Sequence, residues 1–416
     1  MTPPGCAPEG SAQEARGPST PILFILEFGE ALHRVGTPAH RLETALERVS
    51  ELFGLEGQFF TTPTSIIASF GPVGAQQTSL IRLQPGTVDL GRLARVDEIV
   101  NGVIARTLSL EVGIAAIRGV MAAPRTASPL VLLLASTVAA ATGARFFGGG
   151  YREMAVGSAV GALVALLERL MSRVGEAGSG VYVSMASALV AFSAALAAHL
   201  IPGVSGPVLV LAGVLPLLPG LTLTTAMTEL STRHLLAGTA RLTGAGVTFV
   251  QLAFGVAIGA SLGQRWPATV GPVSAELPAW LDVVILGVSS MSYALLLGAL
   301  RRDTWLVVVM GYLAFYTAGA ASRAFGPELG AFVGAFTVGA VANGVSAVLG
   351  RPATVLVVPG ILLLVPGSVG FRGVFSLLQH DADAGVNMAF RAALTAVALV
   401  AGLLFAHTIV RPRKVL

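Results

Sequence analysis

The chain has 416 residues, of which 54% are hydrophobic and only 12% are charged, whereas about one quarter of the residues of a soluble domain are charged. This composition predicts an integral membrane protein and excludes a disordered chain. Of the 26 basic residues only Lys414 is a lysine, which excludes a P-loop, a pyridoxal Schiff base and a retinal pigment. We therefore predict no cofactor.

Nucleic acid, metal and disulfide chemistry are also disfavoured. The formal charge is only +4, and no cluster of basic residues with interleaved aromatic residues occurs, so we predict no nucleic-acid partner. Cys6 is the single cysteine, so the chain can form no internal disulfide and no cysteine metal site. Because His199, His380 and His407 are far apart in the sequence, we predict no metal site.

The first part of the chain is polar and is predicted to contain a loose tail and a small domain. Residues 1–19 have no apolar stretch and hence no secretory signal. Residues 20–124 are predicted to form a cytoplasmic α+β domain, and residues 1–124 together have a net charge of −3. Thr20-Pro21 and Thr37-Pro38 each predict a helix start, and the second helix is expected to be an amphipathic helix on the domain surface.

A strand, a turn and a strand are predicted next in this domain. Residues 57–70 and 79–83 are rich in β-branched and aromatic side chains, and Gly and Pro lie between them at 71–74. Residues 89–121 return to helical spacing and are predicted to form one helix that leads into the membrane.

Ten apolar segments follow Pro124, each close to the roughly 20 residues that cross a bilayer. They divide into two five-helix sets, 125–262 and 280–411, joined by an extracytoplasmic loop, 263–279, and followed by a cytoplasmic tail, 412–416. The predicted spans are 127–147, 153–171, 181–201, 206–227, 240–262, 280–300, 304–324, 328–349, 353–373 and 387–410.

Positive charge in the loops predicts the orientation in the lipid bilayer. If the termini are cytoplasmic, the inner joints carry more basic residues than the outer ones, which satisfies the positive-inside rule. The inner residues are Arg125, Arg169, Arg173, Arg233, Arg241, Arg301, Arg302, Arg351, Arg411, Arg413 and Lys414, against Arg145, Arg152, Arg265, Arg323, Arg372 and Arg391 outside.

Glycines at four-residue spacing allow helices to approach each other closely. Such spacing occurs at Gly157/Gly161, at Gly255/Gly259/Gly263 and at Gly330/Gly334. We favour packing within the chain over dimerisation for these positions, and the sequence leaves a homo-oligomer open.

A repeated segment indicates how the two sets of helices are related. Residues 213–220 (GVLPLLPG) return as residues 360–367 (GILLLVPG), each time in the fourth helix of a set of five. Because five is odd, the second set must cross the membrane in the opposite sense, which predicts a 5+5 inverted repeat and alternating access. The helices are expected to be kinked or interrupted at Pro219-Gly220 and Pro366-Gly367.

The two breaks provide the candidate substrate site, because freed backbone groups and nearby hydroxyls could bind a small polar solute. The alternative is a structural kink whose polar groups are satisfied by neighbouring helices. Asn343, like Gln251, could contact either the substrate or another helix. The candidate substrate-binding residues are Pro219, Gly220, Thr222, Thr225, Asn343, Pro366, Gly367 and Ser368.

Glu229 is the candidate for carrying a coupling proton. It lies near the end of its helix, in a segment expected to be interfacial, and a solvated carboxylate is the favoured interpretation there.

Two blocks of the sequence resemble the threonine/serine exporter family. One runs from residues 28–36 (FGEALHRVG) through 41–43 (RLE) to 62–66 (TPTSI), and the other joins 359–361 (PGI) to 365–368 (VPGS). The likeness covers nearly the whole chain, including the plan of a soluble domain followed by ten helices. It implies export of threonine and serine from the bacterial cytoplasm, driven by the proton-motive force across the inner membrane, and it supplies no pattern of binding residues.

Two other functions compete with this reading. A related two-protein family implies dicarboxylate export, but such a site should offer cationic groups, and Arg372 is the single arginine close to a break in the sequence. A membrane-embedded hydrolase or signalling protein would need a catalytic centre, for which His33, Glu30 and Glu43 are the best trio. Because these residues suit an ordinary solvated helix face and no hydrolase motif occurs, we predict that the protein is not an enzyme.

Overall fold

A computed structural model of the chain describes residues 19–72, 74–124, 127–271 and 277–410. The predicted tails lie outside these ranges, except for Ser19, as do residues 272–276 of the predicted loop 263–279. The elements are α1 Thr20–Arg34, α2 Ala39–Leu52, β1 Gly57–Thr62, β2 Ser65–Phe70, β3 Gln77–Arg82, α3 Leu90–Ile104, α4 Leu110–Ala122, α5 Pro129–Phe146, α6 Tyr151–Met171, α7 Glu176–Leu200, α8 Gly206–Val214, α9 Gly220–Ser231, α10 Leu235–Gly263, α11 Ala279–Leu296, α12 Thr304–Phe325, α13 Pro327–Leu349, α14 Ala353–Leu362, α15 Gly367–Leu378 and α16 Ala382–Ile409.

The sheet near the N-terminus is an antiparallel meander in the order β1-β2-β3. The prediction of a single strand over 57–70 was wrong, because the chain turns back at Pro63 and Thr64 and pairs Thr62 with Ser65. Proline has no N–H to donate to a strand ladder, and therefore it favours a turn at this position. In the central strand β2, alternate side chains are buried against the helices.

The single helix predicted for residues 89–121 is also wrong, because α3 and α4 are separate helices. Arg106 has a positive φ of 58° after the end of α3, which interrupts the helical conformation. The Ser109 hydroxyl then caps α4 by accepting a hydrogen bond from the Val112 N–H, 3.3 Å away. Helices α1 and α2 pack on the sheet, whereas α3 and α4 pack on α1 and on each other. We call residues 19–124 the N-terminal unit.

The hydrophobic core of the N-terminal unit extends into the following helices. Val355 of α14 is buried within it, and Leu297, Leu300 and Val358 pack against it. In addition, the Leu90 N–H donates to the Leu297 carbonyl oxygen at 2.9 Å. The unit is therefore seated directly on the helices that follow it.

The chain is a multi-pass membrane protein, and its membrane helices follow the N-terminal unit. Eight described helices are long and apolar enough to cross a bilayer, namely α5, α6, α7, α10, α11, α12, α13 and α16. Two further pairs are bent, by 53° between α8 and α9 and by 42° between α14 and α15, and the spans number up to ten if each pair counts as one. Pro219 and Pro366 precede the second helix of each pair, which confirms the predicted interruptions.

The two sets of five spans have the same order of elements. We call α5–α10 the first half and α11–α16 the second half, and the bent pair is fourth in each. The packing also corresponds, because α7 packs on α10 as α13 packs on α16, and α9 contacts α16 as α15 contacts α10. The inverted relation of the halves stays a prediction.

The spaced glycines pack within the chain, as predicted. A Cβ on Gly161 would lie 2.8 Å from the Ser136 carbonyl oxygen, one on Gly259 would lie 2.2 Å from that of Ala188, and one on Gly330 would lie 2.7 Å from that of Ala318. These glycines therefore allow α6, α10 and α13 to contact α5, α7 and α12.

Candidate functional site

A cavity of about 1520 Å³ lies between the two halves of the membrane domain. It exceeds the roughly 300–1,000 Å³ of common ligand pockets, so it has room for a small solute with water. Five of the eight candidate binding residues line it: Gly220, Thr222, Thr225, Gly367 and Ser368. The structure therefore brings both breaks, which are 147 residues apart in the sequence, to one cavity.

The two breaks contact each other directly through Gly220 and Gly367. A Cβ on Gly220 would lie 3.1 Å from the Gly367 nitrogen, and a Cβ on Gly367 would lie 3.2 Å from the Gly220 Cα. Helices α9 and α15 begin at these glycines, after Pro219 and Pro366 at the cap positions. Only residues without a side chain allow two backbones to approach so closely.

The electrostatics of this contact favour a negatively charged group. The N-terminus of a helix carries a partial positive charge and several N–H groups without an intrahelical acceptor. In the described structure neither α9 nor α15 has a side-chain cap or an acidic residue in its first turn. A carboxylate bound beside Gly220 and Gly367 would interact favourably with both helix ends.

Hydroxyl groups supply the other polar functions of the cavity wall. Thr222, Thr225 and Ser368 line the cavity, whereas the Thr224 hydroxyl donates back to the Gly220 carbonyl oxygen at 3.0 Å. The lining hydroxyls can accept hydrogen bonds from an ammonium group. With a substrate hydroxyl they can act either as donor or as acceptor.

Asn343 and Arg372, two residues noted in the sequence, lie elsewhere. The Asn343 side-chain amide donates to the Val410 carbonyl oxygen at 2.8 Å, and the residue is fully buried in α13. The Arg372 guanidinium lies over the Phe147 ring, 5.6 Å from its centroid. Neither residue is part of the cavity wall.

Charged side chains line the two ends of the cavity. Arg145 of α5 and Asp282 of α11 form a two-pronged ion pair, with distances of 2.6 and 2.9 Å, and thereby connect the two halves at the end remote from the N-terminal unit. The charged lining residues are Arg145, Glu168, Arg169, Arg241, Asp282 and Arg323. They carry more positive than negative charge, a feature that the sequence did not reveal.

Glu229 is fully buried, so the favoured expectation of a solvated carboxylate was wrong. Its Oε1 accepts hydrogen bonds from the Arg241 Nε at 3.0 Å and from the Ala39 N–H at 2.9 Å. Ala39 is the first residue of α2, where the helix end favours an anion. The buried Glu229 carboxylate is stabilised here because Arg241 and a helix N-terminus both compensate its negative charge.

The beginning of the polar face of α2 contacts membrane helices, whereas Glu47 and Arg48 farther along it are exposed, so the expectation of a surface helix is confirmed only in part. Arg41 donates to the Thr354 hydroxyl and lies 2.8 Å from the His407 Nε2. Glu43 lies 3.1 Å from the His234 Nε2 through its Oε2. The partners of α2 therefore come from both halves of the membrane domain.

His40 lies beside these contacts on the same helix. Burial, followed by the positive charge of Arg41, lowers the pKa of His40 to about 3. The imidazole is therefore neutral at physiological pH.

The three residues of the enzyme hypothesis have separate structural partners. His33 is buried and its Nε2 lies 3.0 Å from the Thr62 carbonyl oxygen. Glu30 pairs with Arg34 at 2.6 Å, while Glu43 accepts hydrogen bonds from Thr61 at 2.7 Å and faces His234. Burial lowers the pKa of His33, which favours the neutral imidazole.

Two family models match the chain along most of its length. The model described as "Putative threonine/serine exporter" matches residues 23–263, and the model "Threonine/Serine exporter, ThrE" matches residues 282–409. The chain belongs to the threonine/serine exporter family. Nearly all of the N-terminal unit and of both halves of the membrane domain lie within the matched residues.

Curated relatives of this exporter-family chain are fungal membrane proteins. It is 27% identical over 335 residues to Pheromone-regulated membrane protein 10 of Eremothecium gossypii, covering 77% of the chain and 44% of that protein. It is 28% identical over 335 residues to the protein of that name in Saccharomyces cerevisiae, with coverage of 77% and 43%. The chain thus spans less than half the length of these relatives. No solved structure matches it.

Proposed function

We propose that this protein exports threonine and serine by alternating access, driven by the proton-motive force. Family membership and a large cavity between two similar halves support export of a small solute. In this proposal the halves form an inverted repeat, the protein lies in a bacterial inner membrane, and both termini are cytoplasmic. The N-terminal unit then faces the cytoplasm, and the Arg145–Asp282 pair lies at the outer end of the cavity.

The contact between Gly220 and Gly367 carries the proposal. It places two uncapped helix N-termini at one point in the cavity wall, where a carboxylate would be stabilised by the backbone N–H groups. Thr222, Thr225 and Ser368 then bind the ammonium and hydroxyl groups of the substrate. Pro219 and Pro366 keep the helices interrupted, while Asn343 connects α13 to the end of α16.

Glu229 is our candidate for the coupling proton. It is an ionisable group buried where α9 meets the start of α2, and buried ionisable groups of transporters commonly belong to proton pathways. Its partner Arg241 lines the cavity, so a change in the protonation of Glu229 is transmitted to the cavity wall through one ion pair.

Dicarboxylate export is the second candidate function. Arginines outnumber acidic residues in the cavity lining, and a second carboxylate on the substrate would find a partner there. The sequence-based argument against this function, that Arg372 is the single nearby arginine, no longer holds.

Efflux measurements distinguish the two candidates. Proteoliposomes or cells loaded with labelled threonine, serine or succinate are compared with and without a protonophore. We expect threonine and serine to leave in a protein-dependent manner and the protonophore to stop this efflux. Efflux of succinate without threonine would establish the second candidate, and protein-dependent efflux of none of these solutes would refute both.

A further inference from the structure

We infer that the N-terminal unit moves as one body with the second half of the membrane domain and releases the first half when the cytoplasmic mouth of the cavity opens. The unit reaches this mouth, because Gly36, Gly86 and Thr87 line the cavity together with residues of the membrane helices. If the two halves separate at this mouth, the N-terminal unit must lose its contacts with one of them.

The contact with the second half is extensive and largely apolar. Val355 is only 1% exposed and is part of the core of the unit. On the same side, a Cβ on Gly91 would lie 2.4 Å from the Gly298 carbonyl oxygen, which means that α3 and the end of α11 touch through their backbones. Apolar burial and backbone contact at this density resist separation.

Salt bridges reinforce this side of the interface. Glu98 of α3 pairs with Arg302 and, at 3.1 Å, with Arg351. Arg351 also lies 3.3 Å from Asp303, so the two loops that flank α12 and α13 are bound to one acidic group of the unit.

The contact with the first half is mainly polar and is concentrated on the first two turns of α2. Ala39 donates to Glu229, and Glu43 faces His234; strand β1 also lies beside α10. Polar groups of this kind exchange protein partners for water with a small change in free energy. The weaker attachment is therefore the one to the first half.

Helix α2 has contacts with both halves. Its Arg41 binds Thr354 and His407 of the second half, whereas its Ala39 and Glu43 bind the first half. If the N-terminal unit separates from the first half, the contacts of Arg41 with Thr354 and His407 remain. The unit then stays bound to α14 and α16.

Distances between spin labels test this inference without any transport substrate. Cys6 is replaced by serine, and labels are attached to cysteines at Leu80 of β3, Leu236 of α10 and Val348 of α13, which are 69%, 55% and 83% exposed. The pair 80–236 reports on the first half, and the pair 80–348 reports on the second half.

Matched double variants weaken the two sides separately. Glu229→Ala with His234→Ala removes polar contacts to the first half, and we expect it to broaden the 80–236 distances and leave the 80–348 distances unchanged. Arg41→Ala with Glu98→Ala removes polar contacts to the second half, and we expect the 80–348 distances to stay narrow because the apolar core remains. Broadening of the 80–348 distances in either variant, or an unchanged 80–236 distribution in the first, would overturn the inference.

Cross-links connect the inference to transport, and this second test rests on the proposed function. A short bis-maleimide between His40→Cys and His234→Cys, whose rings are 6.1 Å apart in the native protein, should abolish export. The same reagent between Glu98→Cys and Arg351→Cys should preserve it. Export blocked by the second cross-link or preserved with the first would overturn the inference. If the uncross-linked protein exports no tested solute, the proposed function fails and the label distances still decide the inference.

Discussion

Adding one methyl group at the contact of the two breaks should slow export strongly. A Cβ at Gly220 would lie 3.1 and 3.2 Å from the nitrogen and Cα of Gly367, and 2.7 Å from the Val365 Cγ2. The Val365 side chain can rotate, but the backbone of Gly367 cannot yield without moving α15. Gly220→Ala therefore forces the two half-helices apart.

The expected effect follows from the cost of overpacking. Inserting a methyl into a packed contact costs about 1–3 kcal/mol, which changes an equilibrium by about 5–150-fold. If export passes through the state in which Gly220 and Gly367 touch, its initial rate should fall within this range, and Gly367→Ala should behave similarly. The assay is initial threonine efflux divided by the amount of protein in the membrane.

Two other glycines of the membrane helices provide matched controls. A Cβ on Gly319 of α12 or on Gly344 of α13 would meet nothing within 4 Å, so alanine there should leave efflux unchanged and slightly favour the helix. Efflux in the Gly220→Ala and Gly367→Ala proteins equal to that of these controls would refute a mechanism in which the two breaks act together.

Three other predictions concern orientation, the prolines and pH. In a protein whose native cysteine is replaced, we expect an impermeant thiol reagent to label Val270→Cys, a fully exposed position, in intact cells and to label Val348→Cys only after lysis; the reverse pattern would invert the topology. Pro219→Ala and Pro366→Ala should slow efflux while leaving membrane insertion intact, because each restores a backbone donor and favours a straighter helix, and undiminished efflux in both would exclude the breaks from the mechanism. The pKa of His40 is lowered to about 3 in the folded protein, whereas in the unfolded chain it is about 6.5. Below about pH 6.5 the unfolded chain therefore binds a proton that the folded protein does not, and the free energy of unfolding should fall as the pH drops toward 3. Thermal unfolding of His40→Leu should depend less on pH in that window, and equal dependence would contradict this assignment.

The sequence predicted the interrupted helices because their cause is local. Proline lacks an N–H and glycine tolerates close backbone contact wherever they occur, so the two Pro-Gly pairs indicated both positions without knowledge of the fold. Their meeting in one cavity followed from the repeat only as a hypothesis, and the contact between Gly220 and Gly367 required the structure.

The burial of Glu229 was missed because its causes are not local. Its backbone partner, Ala39, lies 190 residues earlier in the sequence, and no periodicity in either segment indicates that the start of α2 meets the end of α9. The polar face of α2 suggested solvent for the same reason, since charged residues that contact another domain have the same helical spacing as solvated ones. The β-hairpin at Pro63 did carry a local turn signal, which the run of β-branched residues around it obscured.

The Arg145–Asp282 pair at the other end of the cavity gives a prediction that separates a gating role from a substrate-binding role. Its side chains are 22% and 47% exposed, and pairs with this exposure stabilise a contact by about 0–1 kcal/mol. If the pair only holds the outer ends of α5 and α11 together, Arg145→Ala and Asp282→Ala should each change threonine efflux by no more than about fivefold.

The exchanged variant, Arg145→Asp with Asp282→Arg, decides between a gate and a substrate site. A gate needs opposite charges on the two helices, so the exchange should restore the rate lost in the single variants. A substrate carboxylate needs the guanidinium on α5 within the cavity. The exchange moves that group to α11, so the lost rate would not be restored. Complete loss of threonine efflux in Arg145→Ala, without recovery in the exchanged protein, would refute the gate and assign Arg145 to substrate binding.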